Sequence, residues 1–372
     1  MLVYRDRIAP RSETAFLRRQ YLGFERLKPV WVGCRTDAGL GELGVEPVIL
    51  GRNGVLGGLD RVLFKQLGTI PPQPELRELR PRLVHAQFGR GGALALPLAR
   101  ALRIPLVVTF HGGDATKQTH YRRRLFPTIY QRRLDALQRE ASAFVCVSDF
   151  VRDRLLERGF PPGKLRVIRL GVEINTPASA RKPTLSPYLL FVGRFVEKKG
   201  AAHLIEAARL LRNEGRDLQL VLVGDGPLLA ALRQEAQGAG AVEFQGWLPN
   251  AEVRRRMASA LAVVVPSVTA RSGDSEGLPT VAVEAMAEGT PVIGTREGGI
   301  AEAVEDGRTG LLVRPADPRA LADAIGRLLD DPAARQAMGI AARERARRSF
   351  DARTQSHLLE DLLLSVSEAG SD

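Results

Sequence analysis

Two carboxylates, Glu276 and Glu284, stand eight positions apart in the run Asp274-Ser-Glu-Gly-Leu-Pro-Thr-Val-Ala-Val-Glu284. Between them lie Gly277 and a helix-opening Leu278-Pro279-Thr280. The unpaired amides of a helix start bind phosphate. A carboxylate is a strong acceptor for sugar hydroxyls. One Glu ahead of the helix and one inside it can reach opposite ends of a ligand with sugar at one end, ribose at the other and phosphate between.

Such a ligand needs fixed positive charge, and the second half of the chain supplies it. After the apolar run Tyr188–Val192 comes Gly193-Arg194, and Lys199-Gly200 follows five residues later, just before a helix. A guanidinium brings geometry to a pyrophosphate and an ammonium brings a point charge. A solvated basic loop is the bland alternative, and the Glu pair is what favours phosphate binding. Gly224-Asp-Gly-Pro227 reads mainly as a strand-to-helix turn. Gly246, Trp247 and Leu248 follow another short strand and suit the wall of a nucleobase site, although Trp247 could equally be packed inside. Gly298-Gly299 before a helix would let backbone approach an anion.

In the first half, His111-Gly112-Gly113-Asp114 follows the apolar run Leu106–Phe110. A His at a strand end, flanked by glycines, is placed to meet a ligand rather than to fill a core. The loop Ala9–Phe16 sets Ser12 and Thr14 near a helix start with Arg11 beside them. Either hydroxyl could serve as an N-cap, and the loop could equally meet an anionic acceptor. Tyr121–Leu134 mixes arginines with Leu125, Phe126, Ile129 and Tyr130 around Pro127. That pattern fits a surface helix on anionic lipid and a core-facing amphipathic helix equally well.

The elements that must hold these residues are legible as short apolar, β-branched runs between helical patterns. In the first half they are 2–4, 31–34, 48–50, 83–85, 106–110, 143–147 and 166–170. In the second they are 188–192, 218–223, 242–244, 262–265, 291–293 and 310–313. Near-continuous apolar strands separated by helices predict parallel sheets covered on both faces, an α/β doubly wound fold formed twice. Ligands of such sheets bind beyond the carboxyl ends of the strands, so two of them facing each other would make a cleft. The expected division is a first domain over 1–174, a linker over 175–187 with three prolines and no apolar periodicity, and a second domain over 188–350. A final helix over about 351–368 has no strand after it and is expected to pack back on the first domain.

Bulk properties narrow the function. A chain of 372 residues is long for one core. Two cysteines, Cys34 and Cys146, make no disulfide framework and fit buried thiols in a reducing cytoplasm. No run approaches a membrane span, and the N-terminus lacks the layout of a signal peptide. Residues 1–170 hold 30 Lys and Arg against 15 Asp and Glu, so they carry the whole excess of the +12 net charge. That half would be drawn to an anionic partner, with the inner face of the cytoplasmic membrane or a lipid-linked phosphate as candidates. Nucleic acid is disfavoured, because aromatics for stacking are only 5% of the chain. A dehydrogenase is disfavoured by the lack of G-x-G-x-x-G after the first strand.

Taken in order, Gly193-Arg194…Lys199-Gly200, Gly224-Asp-Gly-Pro227 and Glu276-x7-Glu284 resemble the glycosyltransferases of family 4, which have the GT-B architecture. The resemblance covers most of the chain and is strongest over about 143–315. Pro266-Ser-Val-Thr-Ala270, Gly273-Asp274 and Glu276-Gly-Leu-Pro279, with Ser12-Glu-Thr14 near the start, look like the branch that builds bacterial exopolysaccharides of the colanic-acid type.

The resemblance implies a retaining transfer of a hexose from a nucleotide-diphosphate sugar, UDP- or GDP-linked, to a saccharide or lipid-linked saccharide. It implies that Arg194 and Lys199 hold the pyrophosphate, Glu284 the ribose, Glu276 the sugar, and that His111 lies near the sugar's C6 end. It implies no metal and no other cofactor. Many relatives have a glycine pair in the first loop. Here Pro10-Arg-Ser-Glu-Thr-Ala15 stands instead, which favours an acceptor role for Arg11, Ser12 and Thr14. A sugar-nucleotide epimerase or phosphorylase on the same architecture, or a non-catalytic nucleotide-sugar binder, remains open on the residues alone.

Overall fold

The computed structural model describes residues 1–9, 17–40, 46–52, 54–69, 74–122, 125–174 and 187–370. The loop bearing Arg11, Ser12 and Thr14, and all but the last residue of the proline-rich segment 175–187, lie outside the described residues. The chain divides into two compact units, Met1–Leu170 with Ala352–Asp372, and Gly171–Asp351.

In the first unit the strands are β1 (Leu2–Tyr4), β2 (Arg7–Ile8), β3 (Val30–Gly33), β4 (Arg35–Thr36), β5 (Val48–Ile49), β6 (Val84–Gln87), β7 (Leu106–Phe110), β8 (Ala143–Cys146) and β9 (Leu165–Val167). Among the described residues a sheet runs in the order β5-β3-β1-β6-β7-β8-β9. Every pair in it is parallel. The small pair β2–β4 stands apart. Sequence periodicity does not reveal it, because Arg7, Arg35 and Thr36 interrupt any apolar run. The strand order reverses between β1 and β6, and at such a reversal two neighbouring loops leave in opposite directions.

In the second unit the strands are β10 (Tyr188–Val192), β11 (Gln219–Val223), β12 (Val242–Phe244), β13 (Ala262–Val265), β14 (Val292–Thr295) and β15 (Gly310–Val313). Their order is β12-β11-β10-β13-β14-β15, again parallel throughout. This is the dinucleotide-fold order, with its reversal between β10 and β13. Helices begin where the residue types allow. Asp317 accepts the Ala320 N–H at 2.9 Å with Pro318 following it, and Asp331 does the same for Ala334 at 2.8 Å with Pro332 following.

Each sheet has its own core. One is built around Val3, Ile8, Leu17, Trp31, Val107 and Val145. The other is built around Leu189, Phe191, Leu204, Leu220, Val264 and Ile325. Leu359 and Leu363 of the last helix, Ala352–Ala369, belong to the first core. Glu360 pins that helix. Its buried carboxylate accepts the backbone N–H of Arg26 at 2.8 Å and of Leu27 at 2.7 Å, with Glu25 at 3.1 Å. Residues 171–174, expected with the first domain, pack in the second unit. The Val172 N–H donates to Phe350 O at 2.8 Å, and Arg254 donates to Glu173 O at 2.9 Å.

Candidate active site

Arg194, Lys199 and Glu276 lie on the connections that leave the carboxyl ends of β10 and β13. After β10 the chain passes through Gly193 and Arg194 into a short turn, Glu197–Lys199, and Gly200 then opens a helix at φ +66°. After β13 it passes through Pro266 and Ser267 into the Asp274–Pro279 segment. The two connections lie against each other, with Val268 N–H donating to Lys198 O at 2.9 Å. A Cβ on Gly200 would sit 1.8 Å from Pro266 O, so only glycine permits this approach.

Lys199 Nζ lies 3.0 Å from Glu276 Oε1. Lys198 Nζ lies 3.1 Å from Asp274 Oδ1 and 3.8 Å from Glu276 Oε1. Burial alone would raise the Glu276 carboxyl, but the Lys199 and Lys198 ammoniums outweigh it and hold the group below the ordinary range. Glu276 is therefore a buried carboxylate facing cations. Lys198 was not among the expected site residues, although the Lys198-Lys199 doublet is visible in the sequence. Arg194, a cation just past the strand end, is exposed.

Gly277, Leu278 and Pro279 are buried and lead into the helix Thr280–Ala287, whose first turn has no side-chain cap. Glu284 sits on that helix and is buried. The pair Gly298-Gly299 packs on this segment rather than standing open to an anion. A Cβ on Gly298 would fall 2.2 Å from Glu276 O, and one on Gly299 would fall 1.7 Å from Gly277 O. Gly299 N–H also donates to Glu276 O at 3.2 Å. The turn at Gly224-Asp-Gly226 is likewise packed, because a Cβ on Gly224 would lie 1.9 Å from Gly193 O. Gly246, at φ +62°, accepts from Gly224 N–H at 2.7 Å, and Trp247 beyond it is 60% exposed. Of the two readings of Trp247, the packed one is excluded. Leu248 is half-buried.

In the first unit His111 stands at the carboxyl end of β7, beside the reversal between β1 and β6. Its Nε2 is 2.7 Å from Gln87 Oε1, and its ring lies 4.4 Å from that of Phe88. Burial pushes its pKa down to about 3, with the Arg5 charge adding to this, so the imidazole is neutral at physiological pH. Asp114, expected on the ligand side, is turned to the backbone. It accepts the N–H of Gly89 at 3.0 Å and of His111 and Gly112 at 2.9 Å each. It thereby ties the end of β6 to the end of β7. Gly112 takes φ +133°, which a side chain would strain, and Gly113 starts the next short helix.

The 121–134 segment is not one continuous helix among the described residues. A helix, Ile129–Glu140, starts at Thr128 with a reciprocal cap from Gln131, and buries Tyr130 and Leu137. Ahead of it Leu125 is 88% and Phe126 85% exposed. Cys34 and Cys146 are both buried, and burial pushes their thiols up to about 11 and about 12. Among the described residues no helix is long and apolar enough to cross a membrane.

Residues 173–345 match the model of the glycosyl transferases group 1, and residues 36–176 that of glycosyltransferase family 4. The amylovoran biosynthesis glycosyltransferase AmsK of Erwinia amylovora is 32% identical over 76% of this chain and 69% of its own length. The GDP-mannose-dependent alpha-(1-6)-phosphatidylinositol monomannoside mannosyltransferase of Mycolicibacterium smegmatis is 32% identical over 83% of this chain and 85% of its own length. Among solved structures, Anabaena Alr3699/HepE in complex with UDP-glucose matches with a TM-score of 0.76 at 22% identity, over 98% of this chain and all of that one. The architecture is therefore GT-B, and the chain belongs to the group 1 glycosyltransferases of family 4.

Proposed function

We propose that this protein is a retaining hexosyltransferase. It takes a sugar from a nucleotide-diphosphate donor to a saccharide or lipid-linked saccharide in the building of a bacterial surface polysaccharide or glycoconjugate. The observation that carries this reading is the buried Glu276 carboxylate 3.0 Å from Lys199, beside an uncapped helix start at the sheet's reversal point. A carboxylate, a cation and free amides in one place match the hydroxyls and phosphates of a sugar nucleotide. AmsK belongs to amylovoran biosynthesis, which supports the exopolysaccharide assignment. The mycobacterial relative uses GDP-mannose and the Anabaena protein binds UDP-glucose, which supports a nucleotide-sugar donor of either base.

In the proposed reaction the bond between the anomeric carbon and the diphosphate oxygen breaks. The acceptor oxygen bonds to that carbon on the same face, and its proton goes to the departing diphosphate. Arg194, Lys199 and the backbone N–H groups of Leu278 and Thr280 stabilise the charge that develops on the leaving group, the effect that dominates such catalysis. No metal is needed for this. Glu284 takes the ribose hydroxyls, and Glu276 and His111 the sugar. Gly246, Trp247 and Leu248 take the base. Arg11, Ser12 and Thr14 serve the acceptor, as do His111, Gly112 and Gly113, whose turn Asp114 holds from behind.

The same reading puts the protein in the cytoplasm, against an anionic membrane surface. It is supported by the basic first half and by Leu125 and Phe126 standing in solvent. Nearby, Arg90, His120 and Arg132 line a cavity of about 360 Å³. Apolar side chains beside clustered cations suit an anionic bilayer. A thermal-shift screen of nucleotide diphosphates and their sugars tests the donor reading, since a ligand of the native state raises the melting point. Stabilisation by UDP- or GDP-sugars, followed by donor hydrolysis or transfer, is the expected result. A set of donors that neither stabilises nor reacts would overturn it.

A further inference from the structure

Behind His111 runs a line of buried polar side chains that the donor site does not use. His111 Nε2 is 2.7 Å from Gln87 Oε1, and Gln87 Nε2 is 2.6 Å from Tyr21 Oη. Tyr21 Oη is 2.9 Å from His85 Nδ1, and His85 Nε2 is 2.7 Å from Thr109 Oγ1. Tyr21, Gln87, His85 and Thr109 are all buried.

The directions of these bonds depend on one another. Gln87 Nε2 faces Tyr21 Oη and, at 3.3 Å, Gln20 Oε1. With the Gln87 amide oriented in this way, its oxygen faces His111 and receives an N–H from it. Tyr21 accepts from Gln87 and so gives its own proton to His85 Nδ1. His85, held neutral by burial, then donates through Nε2 to Thr109. The imidazole ring of His111 is steadied further by Phe88, whose own ring lies under the Arg5 guanidinium at 4.5 Å. Phe88 holds φ +67°, a conformation side chains rarely adopt, so the surrounding packing dictates its place.

We propose that Gln87 and Tyr21 are positioning residues that lock His111 as its Nε2–H tautomer, which leaves Nδ1 as the unprotonated ring nitrogen. The functional half of this rests on His111 meeting the sugar; the tautomer itself does not. The charged and titratable groups bearing on the ring are Arg5 and His85, with Asp114 taking its backbone N–H.

The test has two arms on the full chain. Histidine-selective ¹⁵N NMR of a protein with five histidines, assigned through His111→Gln, reads the tautomer without any turnover. The expected result is a protonated Nε2 and an unprotonated Nδ1 from pH 5 to 8, with Tyr21→Phe giving mixed tautomers. In Gln87→Glu a carboxylate faces the ring and raises its pKa by about 1–3 units. The kcat/KM profile of that variant gains an acid-side limb that wild type lacks. A wild-type ring protonated on Nδ1 would overturn the lock. A Gln87→Glu profile that superimposes on wild type after scaling would overturn the positioning role. Inactivity of wild type toward every donor would instead count against the donor reading, while the tautomer seen by NMR would still decide the lock.

Discussion

Gly299 carries no side chain because the carbonyl oxygen of Gly277 would lie 1.7 Å from its Cβ. The loop after β14 is in this way moulded to the segment that carries Glu276. A methyl group there must push on backbone, which has little room to yield. Gly299→Ala is expected to cost roughly 1–3 kcal/mol, read as a drop of several degrees in Tm. It should also weaken donor binding, because the displaced backbone is the one beside Glu276. A variant with unchanged Tm and KM would show that the contact is soft.

Removing the cations separates charge stabilisation from binding. Arg194→Ala and Lys199→Ala are each expected to lower kcat by on the order of 10²–10³-fold. Arg194→Lys should recover only part of this, since an ammonium does not reproduce a guanidinium fork. Single-turnover kinetics at saturating donor gives the comparison. An Arg194→Ala enzyme with undiminished rate would remove that residue from the mechanism.

Stability should depend on pH through Glu276. The folded state holds this carboxyl below its ordinary value, so on acidification the unfolded chain takes up the proton first. Stability from this group is therefore complete above the ordinary carboxylate range and is lost as pH falls through it. In Lys199→Ala the upward push of burial is less opposed, so the folded carboxyl moves up toward or past its unfolded value and the acid-side loss of stability from this group shrinks or reverses. Melting curves between pH 3.5 and 7 should separate the two proteins, and coincident curves would mean that Lys199 contributes little to the folded carboxylate.

The last helix hangs on Glu360. Glu360→Ala orphans the N–H groups of Glu25, Arg26 and Leu27 that it now accepts. A buried donor left unpaired costs about 1–3 kcal/mol, so a Tm loss of roughly 2–12 °C is expected for a unit of this size. Glu360→Gln keeps an acceptor and should lose less. Limited proteolysis would then cut first within 352–370.

Leu125→Asp with Phe126→Asp should abolish binding to anionic vesicles at low salt while leaving Tm and transfer to a soluble acceptor unchanged. Failure of the wild-type protein to pellet with such vesicles would end the membrane reading. Transfer measured with excess chelator should match that without it.

The sheets were readable because a parallel strand buried on both faces is a run of apolar residues, as in Leu106–Phe110 and Ala262–Val265. The β2–β4 pair was not, since two-residue strands such as Arg7-Ile8 and Arg35-Thr36 are too short to carry a periodicity. The meeting of Glu276 with Lys199 was legible as two segments that each follow a strand. What spacing does not show is which way a side chain turns. Asp114 looks like a ligand group in His-Gly-Gly-Asp, but the short carboxylate satisfies three amides around it. The relay behind His111 left a trace in His85-Ala-Gln87, two polar residues on one face of an apolar strand. Its partner Tyr21 is 64 positions away from His85, and no local rule joins them.

The seating of residues 352–370 in the first unit has a consequence for biogenesis. A ribosome delivers that unit's sheet early and its covering helix last, after the whole of the second unit has emerged. Until then Tyr21, Trp31 and their neighbours lack Leu359 and Leu363 to shield them. The second unit, continuous in the chain, is free to mature first. The nascent first half would therefore be the stage at which this protein most needs a chaperone.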